Sequence, residues 1–235
     1  MRHIIGLAVL ALLCPLAAGA ERAIQDVRPM ARPGGQDQPA LDLGLVNQPP
    51  APAMISPWLR STINAARGQV GVTVSYDPAY SSLAFPGGDV PRDRGVCTDV
   101  VIRALRDGAQ IDLQRAVNRD MKAAFASYPT NWGLKRPDAN IDHRRVPNLI
   151  TFLTRIGAKL TQDAQYLPGD IVTSVLPGNL PHIMIVSDRS IGEHPLVIHN
   201  IGAGTREEDA LMRYPQTGHF RLNETALARL RALDQ

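Results

Sequence analysis

Leu167-Pro168-Gly169-Asp170-Ile171-Val172-Thr173-Ser174-Val175-Leu176-Pro177-Gly178-Asn179 divides the chain into two halves of different character. Turn residues bracket six residues rich in β-formers, so Ile171 to Leu176 reads as a strand. Ile183 to Val186 and Leu196 to Ile198 follow, separated by Pro177-Gly178-Asn179 and Ile191-Gly192-Glu193, and this spacing predicts an antiparallel meander. A further short strand is expected over His219 to Leu222, and Asn223 is placed to cap a last helix.

Upstream of Leu167 the period is helical. Ser56-Pro57 opens a helix through Gly68, with Trp58, Leu59 and Ile63 on its buried side. Val70 to Tyr76 alternates as a strand does. Pro86-Gly87-Gly88 and Pro91 mark an irregular stretch, after which Val100, Val101, Ala104 and Leu105 recur at helical spacing as far as Gly108. Asp112 caps a helix running to Ala126, and Val146 to Ile156 forms a third that ends at Gly157. Helices first and strands after predict an α+β domain, its N-terminal helices packed on an antiparallel sheet.

The N-terminal segments have another composition. Arg2 and His3, an apolar run from Ile4 to Leu13 and Ala18-Gly19-Ala20 before Glu21 read as a secretory signal over residues 1–20. The run is shorter than the about 20 residues of a membrane span, and no later stretch approaches that length. Leu13 precedes Cys14 where an acylation signal needs a small residue, which argues against a lipid anchor. Seven of the 19 prolines fall between Pro29 and Pro57, so residues 21–55 read as an extended, disordered tether. Residues 56–235 are enough for one domain with its own core. Export predicts a periplasmic or secreted protein. Lys+Arg 25 against Asp+Glu 22, spread along the chain, indicates no nucleic-acid surface.

Removal of a signal that carries Cys14 would leave Cys97 without a disulfide partner. An unpaired thiol in an oxidising compartment is either buried and inert or put to use. Cys97 lies in Gly95-Val96-Cys97-Thr98-Asp99-Val100, at the start of a core helix. His182 opens one strand and His199 closes the next, so antiparallel pairing can bring their imidazoles together across 17 positions. Singly each histidine has a structural reading. Packed beside the Cys97 helix, they would supply a base and an orienting group to a thiol whose pKa a helix N-terminus and an imidazolium depress. Zinc ligation by Cys97, His182 and His199 is the other chemistry these types allow. The chain lacks the close ligand pairs of structural zinc sites and the His-Glu-x-x-His helix of metallopeptidases, so no metal or cofactor is expected.

A Cys at a helix start, Leu-Pro-Gly-Asp before a strand, Pro181-His182-Ile183-Met184-Ile185-Val186 and Val197-Ile198-His199-Asn200 occur in an order that resembles NlpC-type papain-like cell-wall peptidases. More closely, four segments are similar to the bacterial family known as domain of unknown function 1287: Asp89-Val90-Pro91, Gly95 to Val100, Asn140 to Asn148 and His199-Asn200-Ile201-Gly202. The resemblance runs from about Ile55 to Leu222. It implies a papain-like α+β fold with Cys97 as nucleophile, His182 as general base and acid, and His199 as orienter. It also implies amide cleavage, with peptidoglycan stem peptides or another envelope amide as substrate.

Two departures bear on substrate class. Thr98-Asp99 follows the nucleophile where those enzymes carry a small pair such as Ser-Gly, and Asp99 either binds a substrate cation or holds a loop. A longer insertion before the strands contains Asp142-His143-Arg144-Arg145: either His143 lines a substrate cleft, with Arg144 and Arg145 meeting a carboxylate or phosphate by bidentate hydrogen bonds, or Asp142 pairs with an Arg and the segment anchors the following helix. Asn200 either orients an imidazole or caps the strand end. Tyr80 and Asp93 read as a structural tyrosine and a turn aspartate, Asp170 as a turn residue and His219 as half-buried. A non-catalytic envelope-binding module using the same cleft is the alternative from another functional class.

Overall fold

The computed structural model describes residues 55–161 and 163–235. The expected signal, Cys14 and all but Ile55 of the tether lie outside the described residues. Helix α1 (Pro57–Arg67) opens on a proline in its first turn and buries Thr62, Ile63 and Ala66. Residues 70–74 do not form the expected strand. Val70, Val72 and Val74 are 45%, 50% and 60% exposed, and Gly71 takes a left-handed φ of +77° that breaks the extended run. Only β1 (Ser75–Tyr76) pairs, in parallel, with β2 (Arg94–Gly95).

Helix α2 (Cys97–Ala109) is the central helix, with ten of its 13 residues buried. Its Gly108 meets α1 so closely that an added Cβ would come 2.4 Å from Thr62 Cα. Asp112 caps α3 (Leu113–Ala124) as expected, accepting from the Gln114 and Arg115 amides. A 3₁₀ turn over Asp142–Arg144 leads into α4 (Val146–Arg155).

The sheet is antiparallel throughout and has the order β6-β5-β4-β3-β7. Strand β3 (Ile171–Leu176) has the predicted bounds, whereas β4 (Leu180–Ile191) and β5 (His194–Asn200) extend beyond their apolar runs. Strand β6 (Thr205–Glu208) had no counterpart in the sequence reading, and β7 (Gln216–Phe220) begins earlier than expected. Helix α5 (Glu224–Leu233) closes the chain, with the Asn223 side chain accepting from the Ala226 amide. Ile171, Ile183, Ile185 and Ile198 join the helical core with Cys97, Val100 and Val101. Val172, Met184, Val186 and Val197 form a second cluster with Ala210 and Leu211, so strands with apolar residues at successive positions are buried on both faces. The fold is α+β, with helices against an antiparallel five-stranded sheet. No helix among the described residues is long and apolar enough to cross a membrane.

Candidate active site

Cys97 occupies the first helical position of α2, is 4% exposed and is unpaired. Its local geometry follows from the next three residues. Asp99 Oδ2 accepts from the Val96 amide at 2.7 Å, closing the first turn, and the Thr98 hydroxyl donates to the Arg144 carbonyl at 3.0 Å. The two Asp99 oxygens take Arg144 Nε and Nη2, each at 2.9 Å. Asp99 thus holds the insertion against the helix that carries Cys97. Its carboxylate is 4% exposed and already neutralised, which leaves no charge for a substrate cation.

His182 and His199 meet as pairing predicted, Nε2 to Nδ1 at 2.8 Å. A third group, which the sequence reading did not include, completes the row: Glu208 Oε1 lies 3.0 Å from His199 Nε2 and 3.4 Å from Arg213. This row assigns the tautomers. The Glu208 carboxylate accepts, so His199 carries its proton on Nε2 and accepts at Nδ1. His182 must then donate from Nε2, and its basic lone pair is on Nδ1. Glu208 comes from an edge strand reading Thr-Arg-Glu-Glu, whose composition gives no strand signal.

The backbone of Ile183, next to His182, faces the Cys97 sulfur, as do the Thr98 amide and the Tyr76 hydroxyl. Those three contacts favour the thiolate, but burial outweighs them and pushes the thiol up to about 11. The expected depression of this pKa is therefore not found. Burial and the neighbouring His199 push His182 down to about 3, and burial likewise lowers His199 against the pull of Glu208. Cys97 and His182 share no hydrogen bond, and burial favours the neutral form of both. Tyr76 enters the site through the β1–β2 pairing, and burial raises its hydroxyl to about 12.

A cleft of about 480 Å³ opens against Cys97, between Tyr76, Trp132, Arg145, Pro147 and Pro181. Arg144 lines it, but His143 does not. The imidazole of His143 is buried in the domain, and burial lowers its pKa to about 4. Asn200 serves neither imidazole. Its amide donates to the carbonyls of Gly95 at 3.0 Å and Ser75 at 3.3 Å, tying β5 to the segment before the nucleophile. Arg103, also absent from the sequence reading, is 0% exposed and pairs with Asp89 while donating to the Val90, Pro91 and Arg94 carbonyls. It shapes the loop that delivers Val96 and Cys97.

The remaining polar residues are structural. Tyr80 bonds Asp138 and Asn140, the Asp93 carbonyl receives the Val74 and Ser75 amides, and Asp170 receives Arg221, His219 and the Leu167 amide. His219 is buried, not half-buried, because its Nε2 is 2.7 Å from Asp170 Oδ2 and its ring stacks on Tyr166. Among the described residues, no three His, Cys, Asp or Glu side chains are arranged to hold a metal ion.

These residues fall within a region shared with known proteins. The family model described as "Domain of unknown function (DUF1287)" matches residues 63–222, which include Cys97, His182, His199 and Glu208. The uncharacterized protein YijF of Escherichia coli (strain K12) is 54% identical over 164 residues, a stretch covering 67% of this chain and 78% of that protein. With a family model spanning most of the domain and so similar a relative, the chain belongs to the DUF1287 family.

Proposed function

We propose that the chain is an exported thiol hydrolase of papain-like, NlpC-type architecture that cleaves an amide bond in peptidoglycan stem peptides, acting in the periplasm or outside the cell. The observation that carries this reading is one juxtaposition. A thiol in the first turn of α2 forms part of a cleft wall, and the strand facing its sulfur carries an imidazole backed by a second imidazole and a carboxylate.

On this reading, a substrate in the cleft brings its amide carbon to Cys97 Sγ while His182 Nδ1 takes the thiol proton. The thiol–imidazole contact forms in the substrate complex, since catalytic hydrogen bonds commonly tighten only there. Positive charge on His182 is spread through His199 to Glu208. The developing oxyanion is served by the Cys97 amide and the Tyr76 hydroxyl, a pair of donors worth about 3 kcal/mol each when aligned. His182 returns the proton to the leaving amine, the C–N bond breaks, and water hydrolyses the thioester to a free acid. Turnover of purified stem peptides by the mature protein, by Cys97→Ala and by His182→Ala tests this: both variants fold and lose turnover. Full activity in either removes the assignment.

A second reading, a non-catalytic envelope-binding module, is favoured by one specific observation: Cys97 and His182 share no hydrogen bond, and burial disfavours the charged form of each. It requires stem peptides to bind the wild-type protein and be recovered uncleaved.

A further inference from the structure

The cleft beside Cys97 has a charge character that amide hydrolysis alone does not use. Two arginines, Arg144 and Arg145, line it and no aspartate or glutamate does, although each arginine is paired behind the wall, Arg144 with Asp99 and Arg145 with Asp142. The Arg144 side chain is 2% exposed; its Nε and Nη2 are occupied by Asp99, but its buried Nη1 has no hydrogen-bond partner. That nitrogen is itself closed to solvent, so Arg144 backs the cleft wall and does not present a donor to it. Arg145 is held as a rigid fork: its guanidinium lies 4.0 Å over the Trp132 ring, and its Nη1 meets Asp142 at 3.1 Å. Asn131, Asn179 and Tyr76 are neutral polar residues of the lining, and Val146 and Pro147 give an apolar wall.

We infer that this cleft recognises a carboxylate flanking the scissile amide, with the partly exposed Arg145 guanidinium as its donor, so that the substrate is an acidic peptide. A guanidinium matches the planar geometry of a carboxylate and discriminates by charge against the neutral amide. The inference rests on the hydrolase reading for the reaction, but not for the binding.

The test is calorimetric titration of the Cys97→Ser protein with two forms of N-acetyl-L-Ala-γ-D-Glu-L-Lys. One has both carboxylates free, and the other has both converted to carboxamides. The acid is expected to bind roughly tenfold tighter or more, and Arg145→Gln to reduce this preference to under about threefold. Because Arg145 also pairs with Asp142, Trp132→Leu serves as a second variant: it removes the ring that holds the guanidinium, leaves the ion pair, and should erode the same preference. Affinities equal within about twofold, or no binding of either peptide, overturn the inference. Turnover by the wild-type protein is scored separately. An acid preference without turnover keeps the carboxylate site and removes the hydrolase reading, whereas equal turnover of both peptides does the reverse.

Discussion

Replacing Asp99 by Asn removes the charge that holds Arg144 against the nucleophile helix while keeping the side chain's size. The carboxylate now accepts three bonds, from the Val96 amide at 2.7 Å and from Arg144 Nε and Nη2 at 2.9 Å each. Asparagine offers one carbonyl oxygen for those three donors and turns an NH₂ group toward one of them. The two side chains are 4% and 2% exposed, so water does not repair the loss. Breaking a pair so buried costs about 3–5 kcal/mol, because the remaining guanidinium is left uncompensated. For a domain of this size that corresponds to a fall in Tm of roughly 6–20 °C. Urea unfolding followed by circular dichroism measures it, with an unchanged m-value as the sign that only stability moved. Arg144→Met in the same background should recover more than about 1 kcal/mol of the loss, since the stranded charge is gone. A loss under about 1 kcal/mol, or strict additivity in the double variant, would refute the claim that Asp99 anchors the insertion.

Three further outcomes are expected. Gly108→Ala places a methyl group 2.4 Å from Thr62 Cα and 2.5 Å from the Ser61 carbonyl, so it should cost about 1–3 kcal/mol in urea unfolding despite alanine's better helix propensity. Burial holds His182 at about 3 and His143 at about 4 and lowers His199, all below the 6.5 of an unfolded histidine. The unfolded chain therefore binds more protons on acidification, and stability complete above pH 6.5 should fall on the order of 3–6 kcal/mol between pH 7 and 4.5; a flat urea midpoint over that interval contradicts it. Glu208→Gln keeps an acceptor for His199 but loses the charge that steadies an imidazolium. It should lower kcat roughly tenfold with KM unchanged, a modest effect because the carboxylate is 30% exposed.

How much of this was legible in the sequence depends on where side chains carry a pattern. Ile171 to Leu176 could be bounded because Gly169-Asp170 and Pro177-Gly178 frame β-branched residues buried on both faces. The polar half of β4 and the whole of β6 could not, since exposed or edge positions impose no apolar period; Glu208 was hidden with them. Val70 to Val74 misled for the opposite reason: its valines alternate, but they face solvent. The meeting of His182 with His199 follows from a short connection between antiparallel strands, which sequence spacing captures. The Arg144 partner of Asp99 and the carbonyls that Asn200 and Arg103 reach lie from 9 to 125 positions away, and no local pattern encodes them. Burial decided the ionisation of Cys97: its place at a helix start was visible, but the closing of the core over its sulfur was not.

The most direct test of the central claim, that Cys97 is an acyl-accepting nucleophile served by His182, is intact-mass spectrometry after brief incubation with a thiol-reactive ester of a stem peptide. A single acyl adduct should form on Cys97, decay by hydrolysis in the wild-type protein, persist in His182→Ala and be absent from Cys97→Ala. No adduct on the wild-type protein, or an adduct that forms and decays alike with and without His182, would contradict it.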